Sequence, residues 1–346
     1  MAGLAKGEFE HLRTPYKREV PVLQGSGEAG TYNAMSVDCP FVFYHNDKFY
    51  MMHIGFDGLG YRTALAVSDN LVEWEHEGVI LDRGEDASRW DYVGAAYSWV
   101  LLENNDVYVL PRLKQVDGKY WMIYHAYPEF GYEAGGAKMG LAWCESENLL
   151  DWHRLEEPIF SYENGGSWER AGLYKCCFVE FEGRYWMFYN AKDQPNWPWT
   201  EETGLAVSDD LLHWTRFPGG GEPVMGVKPG SFYSQYVSDP HIRFDSRTGN
   251  WVNFGFGFDG KHAQGLLATS KDLTNWEIVE EPWIPHGEPG EVDETHAHKS
   301  SVIYWNGRFY HFYCACRPAK PGDASIVAEG EGEFRCIVLR TSSPLD

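Results

Sequence analysis

The sequence predicts an all-β fold, a single five-bladed β-propeller over residues 1–346, on three observations. An aromatic-rich strand pattern recurs after a turn, as DKFYMMHIGF, GKYWMIYHAY, GRYWMFYNAK, GNWVNFGFGF and GRFYHFYCAC. A second pattern follows each copy: ALAVSDNLVEW, GLAWCESENLLDW, GLAVSDDLLHW, GLLATSKDLTNW and a truncated IVLRTSSPL. The Trp that closes the second pattern falls at Trp74, Trp152, Trp214 and Trp276, and two of the three intervals are equal. Periods of this length belong to folds built from one supersecondary unit per repeat.

Each copy reads as a short strand, a turn with Asn, Asp or Gly, a strand of alternating bulky residues, a further strand, and a polar Ser-Asp turn into a Trp-bearing strand. Such a unit cannot bury both faces alone, whereas radial stacking covers them and leaves only short edges. The last copy stops after its third strand, so the segment before Ser36 is expected to supply the outer strand that closes the ring. A β-sandwich also has many short strands, but it has no need of one Leu-x-x-Trp signature in copy after copy. That regular recurrence assigns these Trp residues to packing between blades rather than to ligand contact.

Composition narrows the function. Against 51 Asp+Glu stand 29 Lys+Arg, a formal charge of −22. That balance repels a phosphate backbone or an anionic membrane, so nucleic acid and membrane are not expected partners. No apolar stretch of signal-peptide or membrane-spanning length occurs. Seven cysteines, an odd number set mostly in strand-like runs, suggest reduced thiols in a cytoplasm. The adjacent Cys176-Cys177 and the Cys314-Ala315-Cys316 pair lack zinc-site spacing with partners. Aromatics make up 16% of the chain, more than an ordinary core requires; they suit a sugar-binding cleft or a wide β core.

In a propeller the innermost strand of each blade starts near the central axis, so polar residues at those starts converge. Aligned copies begin Val37-Asp38-Cys39-Pro40, Tyr174-Lys175-Cys176-Cys177, Ser238-Asp239-Pro240-His241 and His296-Ala297-His298-Lys299, with Leu110-Pro111-Arg112 less regular in the second. One mouth is thus expected to collect Asp38, Lys175, Asp239, His298 and Arg112, with His241 nearby. An Asp beside Pro also caps turns, and a His also serves as a hydrogen-bonded core residue. Two Asp at equivalent places opposite a His favour chemistry. Asp91 beside Trp90 and Glu169 beside Trp168 are candidate proton donors, because an apolar neighbour raises a carboxyl pKa; each also reads as a rim turn residue. Glu294 and His296 form another possible acid and ligand group. Trp197 and Trp199, in the insertion DQPNWPWTEET, are candidates for stacking on a sugar; this insertion and YPEFGYEAGGAK would close the mouth into a pocket.

These strands and inner starts resemble the five-bladed propeller glycoside hydrolases, the group that includes families 43, 32, 68, 117 and 130, from about Ser36 to Ser343. The resemblance implies a first-blade Asp as base or nucleophile, which maps onto Asp38. By likeness to family 43 it implies a third-blade Glu as general acid, near Glu169. By likeness to family 117 it implies Asp38 and Asp239 with His298 as acid. It also implies a central His that helps hold a metal ion or water, hence a possible structural calcium near the axis, with no cofactor required. The expected activity is exo-acting hydrolysis of short oligosaccharides, with Asp239 tuning the acid. Lys175, Arg112 and Arg170 would suit an anion beside the sugar, a uronate or the phosphate of a family 130-like phosphorolysis. A non-catalytic carbohydrate-binding propeller and a protein-interaction scaffold are the readings from other classes.

Overall fold

The computed structural model describes residues 7–217, 221–328 and 331–345. The fold is all-β; among these residues helical structure is limited to three 3₁₀ turns, at Glu10–Leu12, Tyr162–Asn164 and Ser167–Glu169. Strands Ser36–His45, Lys48–Phe56, Tyr61–Ser68 and Glu75–Leu81 form one antiparallel sheet in sequence order. Ala96–Val100, Gln115–Val116, Lys119–Ala126, Lys138–Cys144 and His153–Arg154 form a second. The remaining fifteen strands hydrogen-bond into a third sheet, in which antiparallel sets are joined only by single parallel bridges, Glu201 to Tyr236 and Gln264 to Ala297. Arg62 bridges Ala95 in the same parallel sense, between the first two sheets. The third strand of one set therefore repeatedly starts beside the first strand of the next.

The repeated turn is held by local bonds that the sequence dictates. Ser68, Ser208 and Ser270 accept from the backbone N–H of the Leu three residues on, at 2.9–3.0 Å. Asn70, Asp210 and Asp272 accept from the N–H groups two and three residues further. Leu71, Leu149, Leu211 and Leu273 take φ of 59 to 67°, and each Trp three residues on donates its indole N–H back to that Leu carbonyl. Trp74 then packs edge-on against Phe312, and Trp276 against Phe188, each on a neighbouring set. These indoles are half-buried spacers, as their recurrence implies.

The N-terminal segment joins the last set. Tyr16–Lys17 and Leu23–Gln24 pair antiparallel with the last strand, Glu331–Thr341. Phe9 and Leu12 are buried in the core beneath it, and Arg13 stacks on Trp283 at 3.7 Å while donating to its carbonyl. Burial of two such side chains is worth ~1.5–3 kcal/mol each. Deleting residues 1–30, of which 1–6 lie outside the described residues, is expected to lower the melting temperature by roughly 5–10 °C in a thermal scan; an unchanged curve would count against a closing role.

Candidate active site

At the inner end of each set the first strand carries an irregularity, and the site is built on it. The register against the second strand slips between Asp38 and Phe41, Tyr97 and Trp99, Tyr174 and Cys176, and His298 and Ser301. A bulge bends its strand and re-aims the extra side chain. Four residues at these positions adopt left-handed backbone: Cys39 (φ 50°), Lys175 (36°), Asp239 (48°) and Lys299 (59°). Such conformations cost ~1–3 kcal/mol each and persist only where the surroundings enforce them. All four line a cavity of about 430 Å³, and beneath them lies a small void walled by Pro40, Phe41, Trp99, Pro240 and His241.

Three carboxylates face the cavity: Glu133, Glu201 and Asp239. Glu201 opens the strand Glu201–Ser208 and is 6% exposed. It accepts hydrogen bonds from the Trp199 indole N–H (2.9 Å) and the Ser238 hydroxyl (3.0 Å). Burial nonetheless pushes its carboxyl up to about 7, helped by the charges of Glu133 and Asp239. Asn190 ties the pair together, donating to Ser238 Oγ and to Asp239 Oδ1 at 2.6 Å each, while its own oxygen accepts from the Asp239 N–H. Burial also raises the Asp239 pKa, against the pull of Lys299 and Lys175. Glu133 belongs to the YPEFGYEAGGAK insertion and accepts from the Tyr61 hydroxyl at 3.1 Å. The insertion is docked by Tyr132, edge-on to Phe56 and hydrogen-bonded to Arg335 at 2.9 Å.

The other side of the cavity is a charge cluster. Asp38, 1% exposed, accepts on Oδ2 from Lys299 (2.6 Å) and Arg335 (2.7 Å), and on Oδ1 from the Cys39 N–H (2.7 Å). Burial opposes its ionisation, but these two cations outweigh it and hold its pKa well below the usual carboxylate range. Arg335 also binds Glu333 through two nitrogens, at 2.7 and 2.9 Å. Lys175 is 8% exposed, with its ammonium 4.1 Å from the centre of the Tyr97 ring.

Of the residues singled out from the sequence, Lys175, Trp197, Trp199, Asp239, His296 and His298 line the cavity. Asp38 lies behind it, turned to Lys299 and Arg335. The alignment that made Asp38 equivalent to Asp239 is corrected by one residue: the bulge aligns Cys39 with Asp239, and Asp38 with Ser238. Lys299, rather than His298, is the fourth member of that ring. Glu169 is away from the cavity, fully buried and bound to Arg216 (2.7 Å) and the Tyr189 hydroxyl (3.1 Å). Asp91 is likewise enclosed by Arg89, Arg154 and Tyr124, while Trp90 stacks on Tyr124 and donates to the Glu156 carbonyl. Exposed Arg112 lies over Tyr44, outside the site. His241 faces the lower void, and burial holds its imidazole neutral. Glu294 caps the turn at Gly290. Glu133, Glu201, Lys299, Arg335 and Tyr132 were not singled out, although two lie in the insertions expected at the mouth and Glu201 closes the third.

Calcium does not fit at the axis. It requires six to eight oxygens, whereas both Asp38 oxygens are already taken and Lys175, Lys299 and Arg335 stand beside them. No helix among the described residues is long and apolar enough to cross a membrane.

The chain resembles solved glycoside hydrolase structures over almost its full length. One, a BT0996 complex with RGII, is 29% identical with a TM-score of 0.78, covering 97% of this protein and 94% of that one. Another, described as "Glycoside hydrolase", is 28% identical with a TM-score of 0.78 and the same coverage. A 1,2-beta-oligomannan phosphorylase of Thermoanaerobacter sp. (strain X514) is 26% identical over 152 residues, which span 43% of this chain and only 40% of that protein. The family model "Glycosyl hydrolases family 32 N-terminal domain" matches residues 111–292, just over half of the chain. The fold is thus a glycoside hydrolase-like propeller, and the protein belongs to that glycosyl hydrolase family.

Proposed function

We propose that the chain is a single five-bladed propeller domain that hydrolyses glycosidic bonds at the end of short oligosaccharides, with Glu201 as proton donor. The observation that carries this reading is a buried carboxyl on the cavity wall whose pKa is raised to about 7. A donor must be protonated near neutral pH and still able to release its proton to the departing oxygen. Glycoside cleavage also needs a second carboxylate, to activate water or attack the anomeric carbon. Glu133 suits that task better than Asp38, whose two oxygens are both engaged. It stands on the same cavity, with one hydrogen bond from Tyr61 as its polar contact there. Asp239 then sets the proton affinity of Glu201 through Asn190 and Ser238. Trp197, 54% exposed at the mouth, and the adjacent Trp199 offer apolar faces to a sugar ring.

A panel of aryl glycosides and plant or algal oligosaccharides tests the reading, with NMR identification of the first anomer released. Glu133→Gln is expected to lower kcat by ~10²–10⁴-fold with little change in melting temperature; near-wild-type turnover in that variant would remove Glu133 from the mechanism. Binding of oligosaccharide without any release of sugar would favour the non-catalytic reading instead.

Phosphorolysis is the second reading, supported by the partial similarity to an oligomannan phosphorylase and by Lys175 on the cavity wall. No carboxylate lies within ion-pair distance of Lys175 among the described residues, so its charge is free to meet an anion. Adding inorganic phosphate and measuring sugar 1-phosphate separates the two reactions. Seven free, buried cysteines agree with action in a reducing compartment.

A further inference from the structure

We propose that His298, Cys314 and Cys316 form a site for one thiophilic divalent cation of the zinc type. Their donor atoms all lie within 4.8 Å of one another, and the three side chains are 5%, 0% and 0% exposed. Two features of the strands bring them together. Cys314 and Cys316 stand two apart on Arg308–Pro318 and so share a face, and His298 is the cross-strand partner of Cys314. Sequence spacing does not reveal the set, because the imidazole comes from the neighbouring strand.

Nitrogen and sulfur donors select zinc-like ions over calcium or magnesium. Tetrahedral zinc has Zn–S of ~2.3 Å and Zn–N of ~2.0 Å, so donors ~3.5–4 Å apart close on it with small side-chain rotations. His298 Nδ1 lies 3.2 Å from the Cys314 carbonyl oxygen. A backbone acceptor of that kind holds the proton on one ring nitrogen and leaves the other free to ligate. His298 also lines the cavity, which provides an entry path.

Charge balance favours binding at this place. The cation enters as M²⁺ + 2 Cys–SH → M(S–Cys)₂ + 2 H⁺, so two protons leave and no net charge is added beside Lys299 and Arg335. Metal here would also brace the charge cluster: His298 directly precedes Lys299, and Cys316 pairs across the sheet with Arg335.

The test uses the full-length chain, stripped with a chelator and kept reduced with a phosphine, then titrated with zinc chloride in equilibrium dialysis. One equivalent should bind and about two protons should be released. Cobalt(II) in place of zinc should give a thiolate-to-metal charge-transfer band. Cys314→Ser and Cys316→Ser should each weaken zinc binding by more than the ~100-fold that loss of an outer hydrogen-bond partner costs, while Cys144→Ser on a distant strand should bind as wild type. Should the serine variants fail to fold, the cobalt spectrum of the wild-type chain decides. Absence of stoichiometric zinc, cobalt bound without a thiolate band, or unchanged affinity in folded Cys316→Ser would each overturn the proposal and leave the cluster as packing.

Discussion

Glu201→Gln is expected to lower turnover by ~10²–10⁴-fold, the usual worth of a positioned proton donor, while making the folded protein more stable at pH 8. Both effects come from one carboxyl. Its folded pKa of about 7 lies above the ordinary value of 4.5, so the native state holds its proton more tightly than the unfolded chain does. Stability from this group is therefore full below about pH 4.5 and declines as pH rises to about 7. Above that the loss is constant, at roughly 3 kcal/mol. Glutamine has nearly the same shape and no charge to bury, so it escapes that loss; denaturant melts of the two proteins at pH 5 and pH 8 measure it. In the wild type, kcat/KM should fall about tenfold per pH unit above pH 7, where the donor has lost its proton. Rates that hold steady from pH 6 to 9 would show that the donor is another group.

Asp38→Ala is expected to cost ~3–5 kcal/mol of stability, because it leaves Lys299 and Arg335 as buried, unpartnered cations. The ion-pair lengths of 2.6 and 2.7 Å and the 1% exposure of Asp38 place this among the most demanding positions for charge removal. Asp38→Asn keeps the shape but turns an amide toward two cations, so it should also destabilise, by a smaller amount. The pH dependence has the opposite sign to that of Glu201. A depressed carboxyl contributes its stability above its unfolded pKa, about 3.8, and loses it as pH falls toward the folded value. The difference between wild type and Asp38→Asn should therefore shrink in acid. If Asp38→Asn melts with the wild type at pH 7 but loses all turnover, Asp38 acts in the chemistry and the structural role assigned to it is wrong.

What the sequence revealed followed the range of the interactions concerned. The Ser-x-x-Leu-x-x-Trp turn is written in residues within six positions of each other, each bonded to the next, so the repeat and the all-β class were legible. The N-terminal strands were legible too, since the final copy lacks an outer member. The cavity was less so, because a bulge inserts residues without a mark in the pattern. Matching Asp38 to Asp239 by their nearby prolines shifted the register by one, and in a strand one residue reverses the face. Glu169 and Asp91 were selected because a Trp adjoins each. In the fold, arginines supply the dominant neighbours, and the resulting ion pairs belong to the scaffold. Glu133 and Glu201 sit in or at the edge of the long insertions, where period-2 and period-3.6 reasoning carries no information. Only the arrival of Tyr132 against Phe56 and Arg335 shows which way that loop turns.

The left-handed bend shared by Cys39, Lys175, Asp239 and Lys299 divides the labour of the chain between architecture and selectivity. Each is a socket whose occupant can be exchanged while the flanking β-ladder stays as it is. The backbone restricts that exchange to glycine, asparagine, aspartate and unbranched side chains, since valine, isoleucine and threonine are strained at positive φ. Efforts to redirect this protein toward other sugars should therefore vary these four places within that alphabet first.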